Sequence, residues 1–163
     1  MYDYEYNVKE ANVLTLVMQT RDVISQLSEK QLYRVGLTPE KFHTLLLCMH
    51  CPEPVTVSEL SKMLFRKPHT VSGLLNRMEA EGLIKREKPD TPENQGPMRT
   101  IVTDKGIATY KQGMRIMMNS ITRIMERVTQ EELEQLDKGL RSLRNSFLSE
   151  MNIESRKMTL LLR

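Results

Sequence analysis

Apolar residues recur every three or four positions through most of this chain and give way to a strand-like pattern in only one region. Val13, Leu16, Val17, Ile24 and Leu27 keep helical spacing from residue 7 to residue 34, about seven turns with no glycine before Gly36. That spacing predicts one long helix. In LTPEKFHTLLLCMHC, Thr38 is placed as an N-cap and Pro39 at the first helical position, and the helix must end before Pro52 and Pro54. Thr56 and Glu59 then form a capping box opening a helix of about eight residues, with Val57, Leu60 and Leu64 as its apolar stripe. A turn over residues 65–67 leads to a second helix at 68–80, which stops at Gly82. LIKRE and MRTIVT flank the turn-rich KPDTPENQGP and predict a hairpin. A long helix follows TDKG through Ile116, Met117, Ile121, Ile124, Met125 and Val128. A second capping box, at TQEEL, starts a last helix carrying Leu133, Leu136, Leu140, Leu143 and Phe147. The closing KMTLLLR is an apolar tail in need of a surface.

The expected fold class is mainly α with a small β-wing. The short helices and hairpin can enclose a core, but the long first and last helices carry more apolar surface than a monomer of this size covers. They should pack against a second copy.

Composition adds limits. Charged residues make up 28% and hydrophobic ones 39% of the 163 residues, as in soluble globular domains. No stretch approaches a membrane span, and MYDYEYNVKE lacks the basic start and apolar run of a signal peptide, so a cytoplasmic protein is expected. No nucleophile triad or nucleotide loop is present, and no enzyme or cofactor is expected. The net charge of +3 is small, but residues 61–88 hold seven Lys or Arg against three Glu. The excess falls on the two short helices and the hairpin.

One residue in that stretch breaks a local rule. In FRKPHTVSGLLNRME, a helix with Val71, Leu74, Leu75 and Met78 on its core side carries Gly73 on the opposite side, beside His69 and Asn76. Glycine inside a helix costs about 1 kcal/mol against alanine. With Thr70, Ser72 and Arg77 alongside, this outward face is short and polar, suited to base edges and phosphates in a major groove about 12 Å wide. A solvated face that happens to tolerate glycine is the bland alternative.

Taken together, VTVSELSKMLFRKPHTVSGLLNRMEAEGLIKREKPD and RTIVTDKG resemble the winged helix-turn-helix of MarR-type transcription regulators. The resemblance extends to the long flanking helices. It implies three parts: a dimerisation helix at 1–36, a winged helix-turn-helix at 37–104 and C-terminal dimerisation helices at 105–163. It further implies a homodimer reading double-stranded DNA at a palindromic operator, most simply as a repressor released by a stress signal or by an aromatic or phenolic effector. Carried over by position, Thr70, Ser72, Gly73 and Asn76 would face bases, and Arg66, Lys67 and Arg77 would hold phosphates, with His69 on the same face as a further DNA-binding candidate. The wing departs from the family pattern, with Asn94, Gln95 and Gly96 where many members have Asp-Arg-Arg. Arg86, Lys88 and Arg99 remain as basic candidates, on a tip stiffened by Pro89, Pro92 and Pro97.

Other features stay open. Cys48, His50 and Cys51, with His43 about two turns earlier, admit a structural, a redox or a metal reading, although Cys48 and Cys51 lie one turn apart and His50 would point elsewhere. Met114, Met117, Met118 and Met125 suit either core filling or an adaptable pocket. Tyr2, Tyr4 and Tyr6 fit a loose terminus or a docking arm. A winged-helix module that docks a protein, with DNA binding weak or lost, is the alternative to the regulator.

Overall fold

A computed structural model describes residues 6–88 and 96–153. Helix α1 (Lys9–Leu32) ends in a tightened turn at Tyr33–Val35, and Gly36 at φ 72° closes it. Helix α2 (Pro39–His50) starts where expected, with the Thr38 hydroxyl accepting from the Lys41 amide. Strand β1 (Val55–Thr56) leads directly into α3 (Val57–Met63), α4 spans Pro68–Ala80, and β2 (Ile84–Glu87) and β3 (Arg99–Val102) make the wing. Helices α5 (Asp104–Met125) and α6 (Gln130–Glu150) complete the described chain.

Both capping boxes are formed, Thr56 with Glu59 and Thr129 with Glu132. The amide and hydroxyl donated by each threonine hold its glutamate below the usual carboxylate range.

Two details correct the sequence reading. The expected hairpin is a three-stranded antiparallel sheet in the order β1-β3-β2, because Val55 pairs with Thr100 and Thr56 with Arg99. Two residues are too few to show alternation, so β1 had no periodic signal. Helix α5 stops at Met125 rather than running through Val128. Thr129 must be extended to cap α6, at φ −68° and ψ 158°, and the preceding residues turn tightly to reach it.

The chain forms two compact units, Met1–Met117 and Met118–Arg163. In the first, Leu32, Leu45, Leu60, Val71, Leu75, Met78 and Ile84 are fully buried and join α1, α2, the helix-turn-helix and the wing in one core. Met114 and Met117 pack against its edge. Along α1, however, Val13, Leu16, Ile24 and Leu27 are exposed, Leu16 by 60%. The second unit has no buried residue on α6, and Leu136, Leu140 and Phe147 are exposed there. Among the described residues no helix is long and apolar enough to cross a membrane. Tyr2, Tyr4, Pro89, Pro92, Asn94, Gln95 and the KMTLLLR tail lie outside the described residues.

The wing is tied back to the core at TDKG. The Thr103 hydroxyl donates to the Gly82 carbonyl at 2.7 Å and accepts from the Gly106 amide at 3.0 Å. Gly106 lies so close to the residue preceding β2 that a Cβ there would sit 2.0 Å from the Leu83 carbonyl oxygen. Only glycine fits.

Candidate nucleic-acid interface

Helices α3 and α4 meet through a turn built entirely from backbone. The Phe65 amide bonds back to the Lys62 carbonyl and the Arg66 amide to the Ser61 carbonyl, the paired closure of a Schellman motif. Phe65 occupies the left-handed position of that motif at φ 52°, where glycine is usual, yet the residue is 64% exposed. The strain is not offset by burial. Lys67 then takes the extended N-cap conformation and Pro68 the first helical position of α4.

Four residues anchor α4: Val71, Leu74, Leu75 and Met78 are buried, as their spacing requires. On the other side His69, Thr70, Asn76 and Arg77 are exposed, and Ser72 and Gly73 are half-buried. A Cβ at Gly73 would meet nothing within 4 Å. The protein's own packing therefore gives no reason for glycine at this position. Arg66 and Lys67 are exposed beside the helix start. None of these polar side chains has a hydrogen-bond or ion-pair partner among the described residues.

The wing cations are placed differently. Arg86 is engaged by Glu79 of α4, whose Oε2 accepts from the guanidinium Nε at 2.9 Å and also from Nη2. Oε1 of the same carboxylate accepts from the Arg86 backbone amide at 2.9 Å. These bonds, the Arg86 side chain first, hold the Glu79 carboxyl below its ordinary range. Arg99 reaches Glu53 at 3.6 Å, with its Nε buried and without a partner among the described residues. Lys88 is exposed at the end of β2. Of the sequence-level candidates, then, the fold gathers Arg66, Lys67, His69, Thr70, Ser72, Gly73, Asn76 and Arg77 on one open surface. Arg86 is held by Glu79, whereas Arg99 has only an exposed pairing with Glu53 at 3.6 Å. Phe65 and Glu79 were missed, although a bulky residue directly after a short helix and a carboxylate in the last turn of α4 are visible signals.

The CMHC segment closes α2. Burial, with the Cys51 charge adding to it, pushes the Cys48 thiol up to about 12. Cys48 is thus a thiol at neutral pH, not the thiolate that reacts. His50 is turned to its own helix, Nδ1 lying 2.9 Å from the Leu46 carbonyl oxygen.

An open polar face on the second helix of a helix-turn-helix, with a three-stranded wing following it, defines a winged helix-turn-helix protein. Residues 35–93 match the profile of the MarR family. Solved structures of similar fold agree along far more of the chain. An organohalide-sensing transcriptional regulator bound to 2,4-dichlorophenol is 25% identical with a TM-score of 0.79, covering 100% of this chain and 98% of that one. MepR of Staphylococcus aureus in complex with DNA is 24% identical with a TM-score of 0.73, covering 86% and 99%. CouR of Rhodococcus jostii RHA1 bound to p-coumaroyl-CoA is 17% identical with a TM-score of 0.71, covering 85% and 95%. A search of curated proteins finds no match. The chain is thus similar to MarR-family transcription regulators, in sequence over residues 35–93 and in fold over more of its length.

Proposed function

We propose that this protein is a cytoplasmic, sequence-specific repressor that binds a palindromic operator as a homodimer. Each subunit places α4 in a major groove, with half-sites about one helical turn apart. The observation that carries this reading is the outward face of α4: an unpartnered polar surface around a glycine that no internal contact requires. His69, Thr70, Ser72 and Asn76 read base edges, Gly73 lets the helix backbone approach, and Arg66, Lys67 and Arg77 hold phosphates. Lys88 and Arg99 are the wing's remaining cations. The exposed apolar residues of α1 and of α6 support dimerisation, since a monomer would leave both in water. Sedimentation equilibrium should give twice the 19.0 kDa chain mass. The dichlorophenol and coumaroyl-CoA complexes of similar proteins support an aromatic or phenolic effector. Such an effector releases DNA by binding better to a dimer whose reader helices are wrongly spaced.

Arg86 and Arg99 are paired with carboxylates, which favours a second reading in which the same face docks a protein. Selection of random duplex DNA by the purified protein separates the two. The repressor enriches a palindrome and binds it at least ~10³-fold tighter than a scrambled duplex. Weak, salt-sensitive binding without enrichment would overturn the repressor in favour of the docking module.

A further inference from the structure

We infer that Glu79 is a positioning residue that fixes the angle of the wing to the reader helix, with Arg86 as its grip rather than as a phosphate contact. The inference rests on the DNA-reading role of α4 proposed above. Strand β2 is an edge strand, paired only with β3. Its Arg86 amide faces away from β3, and the Glu79 carboxylate satisfies that amide through one oxygen. The other oxygen takes the guanidinium of the same residue. One carboxylate on the last turn of α4 thus holds both the main chain and the side chain of a wing residue. Such a fork tolerates little rotation, because the planar guanidinium and the amide must be met at once.

Among the described residues, no other side-chain hydrogen bond or ion pair joins α4 to the wing strands. Between Ala80 and Ile84 the chain turns through Gly82 at φ 71°, a conformation that supplies direction but no side-chain bracing. Lys85 of β2 is turned to Glu87 on its own strand. Thr103 and Lys105 bond to the Gly82 and Glu81 carbonyls, which closes the base of the wing at the start of α5 but does not reach Arg86 in the strand itself. The Arg86 side chain is 21% exposed, too enclosed to serve as a mobile phosphate clamp. With Asn94, Gln95 and Gly96 at the tip, arginine bracing there is absent from the sequence, and the brace lies at the wing's base instead.

Two substitutions separate bracing from charge. Glu79→Gln removes a negative charge and frees a cation, so simple electrostatics predicts tighter DNA binding. Bracing predicts the opposite. Arg86→Lys keeps the charge but loses the fork, so a phosphate contact would survive it and a brace would not. In the DNA-free protein, each variant should speed hydrogen exchange at the backbone amide of residue 86 while α4 core amides stay protected. On the selected duplex, each should weaken binding roughly tenfold and fade hydroxyl-radical protection flanking the major-groove site. The double variant should lose no more than either single one. Unchanged exchange at the backbone amide of residue 86, or Glu79→Gln binding as tightly with its flanking protection intact, overturns the inference. If the wild type selects no duplex, the repressor reading fails instead, and the exchange experiment still decides whether the brace exists.

Discussion

Gly106 and Gly73 both lie inside helices, and they are there for opposite reasons. At Gly106 the Leu83 carbonyl occupies the space a side chain would need, so the demand comes from within the fold. At Gly73 the space is empty, and the helix bears the cost of glycine for nothing in the protein itself. One position is set by the fold's own packing, and the other is not; under the proposed function it is shaped for DNA. Phe65 belongs with Gly73: a non-glycine residue in a left-handed turn, largely exposed, in the loop that leads to the reader helix.

The largest effect should come from the inner glycine. Gly106→Ala forces a Cβ against backbone that cannot move aside cheaply, at a cost of about 3 kcal/mol or more. Its Tm, followed by circular dichroism, should fall by roughly 6–12 °C. A stable alanine variant would mean that the wing closure at TDKG is looser than its geometry states.

On the outer surface, Asn76→Ala should leave Tm unchanged and lower discrimination between the selected and scrambled duplexes by about 1–3 kcal/mol. Lys67→Ala should weaken both duplexes alike and reduce the salt slope by about 1. Equal losses on both duplexes for both variants would remove the division between base-reading and phosphate-holding residues.

Gly73→Ala sharpens the comparison because stability and function should move in opposite directions. It should gain roughly 0.5–1 kcal/mol in denaturant unfolding, while binding to the selected duplex weakens. A gain in stability with binding intact would leave Gly73 unexplained. Phe65→Gly should give the smallest change, a stabilisation of up to about 1 kcal/mol as the left-handed strain is relieved. A loss of stability there would show that the ring packs more than its exposure suggests.

Most element boundaries were legible because they depend on hydrogen bonds between near neighbours. Thr38 with Pro39, the box of Thr56 and Glu59, and the box of Thr129 and Glu132 each carry their instruction within four residues. The core face of α4 was legible for a similar reason, since helical geometry alone puts Val71, Leu74, Leu75 and Met78 together. Strand β1 was not, because its two residues acquire meaning only beside Thr100 and Arg99, over forty positions later. The end of α5 depended on what the next helix's cap requires of the chain before it.

The candidate site divides along the same line. The sequence by itself determined which residues lie on α4 and which of its sides is buried, because helical periodicity is local physics. It ranked the basic residues of the helix-turn-helix and the wing together, since each carries the same charge. Only the tertiary structure decided which of those charges are engaged: among the described residues Arg66, Lys67 and Arg77 stand open, Glu79 holds Arg86, and Arg99 has a longer, exposed pairing with Glu53. An ion pair forms where two chain segments converge, and that convergence is fixed by the sheet, the Gly82 turn and the packed core, none of which a local pattern contains.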